Sequence, residues 1–379
     1  MSYVLKNDKN DMRYIFEKFK NDCDFISVGD RILGKGAFGE VRDIKFKNRT
    51  MAGKLIKKDS NEETEEEKYA LDLRSKNIIK INKVYTKQIG NEYYDLIIME
   101  KAVLRDLGKL NEFYHHHNLL KLIYKPFYEP LGDNLLRFYS RQIINALEVL
   151  NRNHLVHYDL KPENLLITIN LMLKLSDFDL LTKVKDGITK IPGGTRGYIT
   201  PEYYIERNVS SEDARKQDYF ALGSTLFFLK FGKQMLNYKK TDNNKSNSYK
   251  VIDGISKSIS KIQSSNQTDK DFIDFLISLI QYKPMHRPSF EQIYRNKWLN
   301  KDIEYVDAIF SAFEKDEEKL ILEFQKNDFL MQKEKDLGIY SYQEKMKNFM
   351  TDQNQIEKKE IKYEKPCRFR FKKKINMMF

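Results

Sequence analysis

One short stretch constrains this chain more than any other. His157-Tyr158-Asp159-Leu160-Lys161-Pro162-Glu163-Asn164 places a carboxylate, a lysine and an amide close together, and thirteen residues after Asn164 comes Asp177-Phe178-Asp179. These residue types suit a particular chemistry. A carboxylate accepts a hydroxyl proton, a lysine neutralises a phosphate, and an amide oxygen with a second carboxylate holds a hard dication. Four fixed residues in this order are a far more specific signal than a lone glycine or lysine motif.

Upstream, Gly34-Lys35-Gly36-Ala37-Phe38-Gly39-Glu40-Val41 lies between two strand-like runs. Glycines let a hairpin backbone approach phosphates where a Cβ would obstruct it. A dinucleotide-binding crossover needs a helix directly after its glycines, whereas Glu40 to Lys47 reads as strand. Lys54 follows Val41 by thirteen residues, inside Met51-Ala52-Gly53-Lys54-Leu55-Ile56. Taken alone it fits a snorkelling edge lysine. Paired with a carboxylate it can reach nucleotide phosphates. Glu66 is the preferred partner, eleven residues before Asn77, and Glu67 is its close rival.

Periodicity divides the chain into a β-rich front and an α-rich back. Strands are expected over residues 24–33, 40–47, 50–57, 78–87 and 93–100, with an acidic helix over 62–74. Helices are expected over 135–151, 217–231 and 271–281. The expected organisation is a polar leader (1–25), a small lobe and hinge (26–102), and a larger lobe (103–300) with insertions near 108–134 and 239–250. A charged helical extension (301–360) and a basic tail (361–379) follow.

On these motifs the chain resembles the eukaryotic protein kinase family, over roughly residues 26–300. Gly194-Thr195-Arg196-Gly197-Tyr198-Ile199-Thr200-Pro201-Glu202 resembles the substrate-side loop ending in Ala-Pro-Glu, and Asp218-Tyr219-Phe220-Ala221-Leu222-Gly223 the Asp-x-x-x-Leu-Gly helix. His286-Arg287-Pro288 resembles the late arginine that pairs with that glutamate, and Lys297-Trp298 the terminal His-Pro-Trp. The resemblance implies an α+β bilobal fold with a β-rich N-lobe and an α-helical C-lobe. It implies Asp159 as catalytic base, Lys161 as γ-phosphate contact, and Asn164 and Asp177 as Mg²⁺ ligands. The loop from Gly34 through Lys35, Gly36, Ala37 and Phe38 to Gly39 would cradle ATP phosphates with Lys54, itself held by Glu66. Val41 and Ala52 would sandwich adenine against Leu166, with Met99 as gatekeeper and Glu100 to Ala102 as hinge. Lys161 and Thr195 match the Ser/Thr branch, so the expected substrates are Ser/Thr side chains of proteins.

The chain also departs from the family pattern. Tyr158 replaces the arginine of His-Arg-Asp, and a phenol cannot grip a phosphate in bidentate fashion. Asp179 replaces the glycine of Asp-Phe-Gly, adding a carboxylate beside Asp177 at a backbone position where glycine is freer. It is free to approach Mg²⁺ or a nearby cation, or to restrict the flip of its loop. Thr200 replaces the alanine of Ala-Pro-Glu, a mild change. The short run from Lys54 to Glu66 implies an abbreviated helix or a pairing role for Glu67. His115, His116 and His117 are adjacent and so do not share a helix face, which favours a polar loop over a metal site.

Composition bounds the alternatives. Two cysteines in 379 residues, Cys23 and Cys367, offer no disulfide framework, and no run of 18 apolar residues occurs, so no transmembrane segment is expected. A cytoplasmic protein is expected, with the nucleus as the alternative. The net charge of +12 hints at nucleic acid. Residues 361–379, however, carry seven Lys or Arg against one acid, half of that excess. The tail suits an acidic partner or anionic surface, and a nucleic-acid function is disfavoured. Two functions follow: a Ser/Thr protein kinase using ATP and Mg²⁺, or a pseudokinase scaffold that binds nucleotide or a partner without efficient transfer.

Overall fold

Alternation of side chains along five extended segments builds the front of the molecule, seen in a computed structural model. It describes residues 12–20, 25–35, 39–47, 49–60, 65–102, 106–108, 133–168, 172–184, 186–205, 207–236, 254–257, 260 and 269–301. Strands β1 (Phe25–Lys35), β2 (Gly39–Phe46), β3 (Arg49–Lys58), β4 (Ile81–Ile89) and β5 (Glu92–Met99) form an antiparallel sheet in the order β1-β2-β3-β5-β4. Each lies within a few residues of its expected place. Register sets which side chains share a face: Val41 pairs with Lys54, and Ala52 with Met99. Opposed residues point the same way and alternate residues of a strand do too, so Val41, Ala52, Lys54 and Met99 lie on one face.

The opposite face is apolar and covered. Ile44, Met51, Leu55, Leu96 and Ile98 pack against Ile15 and Phe16 of helix α1 (Met12–Lys18) and Phe19 just after it. Of the expected polar leader over residues 1–25, the described part, residues 12–20, thus packs on the sheet. The apolar spacing Ile15, Phe16, Phe19 is helical, and a sheet face buried only on one side supplies its partner.

Among the described residues helix α2 spans Glu65–Asp72, within the helical stretch expected over 62–74. Ala70 and Leu73 bury against the C-lobe core with Ile78 and Ile97. The two lobes are laced directly: Ile79 N–H donates to Leu175 O (2.8 Å) and Leu175 N–H to Asn77 O (2.8 Å).

The C-lobe is built on α3 (Asp133–Arg152), α4 (Pro201–Ile205), α5 (Ser211–Phe231), α6 (Lys270–Leu279), α7 (Phe290–Tyr294) and α8 (Lys297–Asn300). Ser210 caps α5 by accepting from Asp213 N–H, and Gly232 ends it in the left-handed region. Helices α5 and α6 meet at Gly223, where a Cβ would lie 2.6 Å from Ile280 Cγ2. Trp298 is fully buried, its ring 4.8 Å from Phe272 and 5.8 Å from Phe275, with the Arg137 guanidinium 5.2 Å away. Short ribbons cross the front of this lobe: β6 (Leu155–Val156) with β9 (Thr182–Lys183), β7 (Leu165–Ile167) with β8 (Leu173–Leu175), and β10 (Ile188–Lys190) with β11 (Asn208–Ser210).

The insertion near 239–250, the histidines at 115–117 and everything from 302 onward, including the charged extension and basic tail, lie outside the described residues. So does most of the 108–134 insertion. Among the described residues no helix is long and apolar enough to cross a membrane.

Candidate active site

The loop after β6 is clamped from below. Asp218 sits buried on α5 and accepts from His157 N–H (2.8 Å) and Tyr158 N–H (3.0 Å). Burial raises its pKa, while His157 and the two amide donors oppose the shift. Tyr158 adopts φ 62°, which turns the chain so that Asp159 emerges into the cleft. The buried His157 ring spans the loop, its Nδ1 accepting from Asp159 N–H (3.2 Å) and its Nε2 3.1 Å from Ser176 O.

Asp159 is held at both oxygens. Oδ2 meets Lys161 Nζ (2.6 Å) and Asn164 Nδ2 (3.1 Å), while Oδ1 accepts from Thr195 N–H (2.8 Å) and the Thr195 hydroxyl (2.7 Å). Lys161 Nζ also donates to that hydroxyl at 2.7 Å. Thr195 therefore ties the substrate-side loop to Asp159. In the sequence it stood only as a mark of the Ser/Thr branch. Gly194 allows this approach: its φ is 143°, and a Cβ there would lie 2.7 Å from Tyr158 O.

The second carboxylate, Asp177, follows two residues after β8, the strand whose end laces the lobes. Ser176 N–H donates to Asn164 O (2.9 Å), which sets the segment after β8 against the catalytic loop. Asp177 takes the left-handed conformation (φ 65°). The expected demand for backbone freedom thus falls on Asp177, and Asp179 avoids the left-handed region. Lys54 Nζ lies 2.5 Å from Asp177 Oδ1 and 2.5 Å from Asp179 Oδ1. Burial disfavours the Lys54 charge, but the two carboxylates outweigh it and its pKa is raised. Asp177 is also desolvated, yet the lysine draws its pKa down. Asp179 titrates higher than an ordinary aspartate, through burial against the pull of Lys54 and with the Asp177 charge beside it.

Glu66, the expected partner of Lys54, lies on α2, and its side chain falls outside the described residues, as does that of Glu67. Gly36, Ala37 and Phe38 lie outside them too. Gly34 pairs with Val41 and Lys35 with Glu40, so the two ends of the glycine hairpin are in register. Among the described residues no atom comes within 4 Å of a Cβ built on Gly34. Leu166 is half-buried on β7, and Met99 ends β5. Glu100 N–H donates to Lys80 O (2.9 Å), and Ala102 follows two residues on.

Donor chemistry fits a dication. Asn164 Nδ2 is turned to Asp159, donating to its backbone oxygen at 2.8 Å, which leaves the amide oxygen as acceptor. With the Asp177 carboxylate this gives hard oxygen ligands of the kind Mg²⁺ prefers. Among the described residues no cluster of three or more His, Cys, Asp or Glu side chains is arranged for a metal.

Beyond the cleft, Arg287 Nη2 lies 2.6 Å from Glu202 Oε1, with the guanidinium side chain fully buried. Arg287 Nε also donates to Gln281 O (2.9 Å), so the pair carries its own hydrogen bonds. The Thr200 hydroxyl bonds Gln217. Tyr158 packs with Val156, Val184, Ile191, Val209 and Ala214, and its hydroxyl is buried with no hydrogen-bond partner among the described residues.

The protein kinase domain family model matches residues 28–299. Relatives include an Aurora kinase of Debaryomyces hansenii, 26% identical over 80% of this chain and 70% of that protein. An Aurora kinase of Saccharomyces cerevisiae is 27% identical over 74% of this chain and 71% of its own length. A serine/threonine-protein kinase stk11 homolog of Dictyostelium discoideum is 25% identical over 82% of this chain and 51% of that protein.

Proposed function

Since the chain belongs to the protein kinase family and is a protein serine/threonine kinase, we propose that it transfers the γ-phosphate of ATP, with Mg²⁺, to Ser and Thr hydroxyls of protein substrates. The observation that carries this reading is the doubly held Asp159 carboxylate, tied to Lys161, Asn164 and the substrate-side Thr195.

In this reading Asp159 accepts the proton of the acceptor hydroxyl as its oxygen bonds to the γ-phosphorus and the bond to the β-γ bridging oxygen breaks. Lys161 lies beside Asp159 and offsets charge on the transferring group. Thr195 fixes the carboxylate rotamer and links base to substrate platform. Lys54 is assigned to the α- and β-phosphates, the hairpin from Gly34 to Gly39 to the phosphate backbone, and Val41, Ala52 and Leu166 to the adenine faces. Met99 closes the back of that pocket, and Glu100 and Ala102 offer their backbone groups to its edge. Asn164 and Asp177 would hold Mg²⁺, which supplies charge neutralisation between the phosphates.

A Mg·ATP assay on a generic Ser/Thr protein substrate tests this. Wild type should turn over, and Asp159→Asn should lower kcat by about 10²- to 10⁴-fold. The pseudokinase scaffold is the reading to adopt if wild type shows Mg·ATP-dependent thermal stabilisation and no turnover.

A further inference from the structure

We propose that Asp179 is a positioning residue for Lys54: it keeps a carboxylate on the lysine ammonium when Asp177 turns to the metal. This rests on the Mg·ATP reading above and assigns a task to the residue that stands where the family has glycine.

Geometry supplies the first support. Asp177 Oδ1 and Asp179 Oδ1 each lie 2.5 Å from Lys54 Nζ, so residues two apart in sequence bracket one ammonium. The lysine side chain is only 13% exposed, and Asp179 at 21% is more enclosed than Asp177 at 36%. The more open carboxylate is the one suited to meet an incoming ion.

Donor arithmetic supplies the second. An ammonium has three N–H groups. Among the described residues two of them face carboxylates, and the third has a phosphate oxygen as its partner in this reading. A carboxylate bound to a dication gives up much of its charge to that ion and holds a lysine less firmly. With Asp177 alone, metal binding would loosen Lys54 at the moment its position matters. With Asp179 in place, one whole carboxylate stays on the lysine, and a second donor is released toward the nucleotide.

Backbone conformation supplies the third. Position 179 does not need glycine here, because the left-handed residue is Asp177. Leu181 N–H donates to Phe178 O (3.0 Å), closing a turn that carries Asp179 rigidly. The tether thus comes from the same loop as the metal ligand and does not depend on where α2 sits.

The experiment compares wild type with Asp179→Asn, Asp179→Gly and Asp179→Glu. It measures Kd for Mg·ADP by calorimetry, and kcat and KM for ATP on a generic Ser/Thr substrate. Asp179→Asn and Asp179→Gly should weaken Mg·ADP and raise KM by about tenfold, with kcat moving less than about threefold, and Asp179→Glu should restore most of the loss. In a Lys54→Met background, Asp179→Asn should change Kd by less than about twofold, since the effect runs through the lysine. Asp179→Asn is isosteric and carries the comparison if Asp179→Gly lowers the melting temperature. Unchanged or tighter Mg·ADP binding in Asp179→Asn overturns the proposal, as does an equal effect with Lys54 absent. Wild-type turnover with no Asp179 effect sinks the tether and leaves the kinase reading. Asp179-dependent Mg·ADP binding in a wild type that does not turn over does the reverse.

Discussion

Thr195 meets the Asp159 carboxylate twice, through its amide at 2.8 Å and its hydroxyl at 2.7 Å, and the same hydroxyl accepts from Lys161. One side chain therefore sets the rotamer of Asp159, the proposed base, and the position of the neighbouring lysine. Thr195→Ala keeps the amide bond and loses both hydroxyl contacts. It should lower kcat by about 10²-fold through misplacement of the base, with melting temperature nearly unchanged. Thr195→Ser should recover most of the rate. Equal kcat in Thr195→Ala and wild type would remove Thr195 from the machinery.

Tyr158 makes a different prediction, about stability. Its hydroxyl is buried without a partner among the described residues, so Tyr158→Phe should be neutral or mildly stabilising at pH 7. Burial, then the Asp218 charge, raise the phenol above its usual value of 10.0. Because the folded value exceeds the unfolded one, its contribution is full below pH 10 and declines as the pH rises further, the unfolded chain releasing its proton first. The fall in melting temperature between pH 9 and about 11 should be shallower in Tyr158→Phe. A steeper fall would contradict the burial account.

Apolar packing also bears on regulation. Thr189 is buried in β10 opposite Val209, and Val184 and Ile191 pack on Tyr158, where the family pattern has arginine. A phosphate on Thr189 would have to leave its buried position and would find no guanidinium at Tyr158. Thr182 is half-buried on β9 with its hydroxyl on Leu180 O (3.0 Å), and a phosphate there would likewise find no guanidinium at position 158. Phosphatase treatment should change the rate by less than about twofold. Thr189→Glu should lower the melting temperature without raising activity. Many-fold activation on phosphorylation, abolished in Tyr158→Phe, would refute this.

Phe16 tests the N-terminal helix. Its side chain is fully buried against the N-lobe sheet, so Phe16→Ala should cost about 3–5 kcal/mol. Thermal or urea unfolding reads this directly. A loss below about 1 kcal/mol would mean that α1 is dispensable to the lobe.

Legibility in the sequence followed distance along the chain. Asp159, Lys161 and Asn164 share one loop, and their types and spacing announce a chemistry before any fold is known. The five N-lobe strands were readable because each is a run of eight to eleven residues, long enough to show β-type character by itself. The ribbons β6 to β11 were not, since two- and three-residue strands carry no period of their own and form only because the catalytic and substrate-side loops are pressed together. Helix α1 left a trace in Ile15, Phe16 and Phe19, but seven residues among many charges read as polar until the sheet face that covers them is known.

Gly34, the strand that carries Lys54 and the loop from His157 to Asn164 could be singled out from sequence alone, because local steric and chemical requirements select those residue types. The tertiary structure decided what the odd residues do. Asp179 looked like a liability of backbone freedom; the fold moves the left-handed turn to Asp177 and brings Asp179 onto a lysine 125 positions away. Tyr158 looked like a lost arginine and belongs to an apolar cluster with Val156, Val184, Ile191, Val209 and Ala214. Pairings of that kind depend on long-range closure, in which the gain from burial and ion pairing exceeds the entropy of bringing distant segments together, and no window of sequence contains both partners.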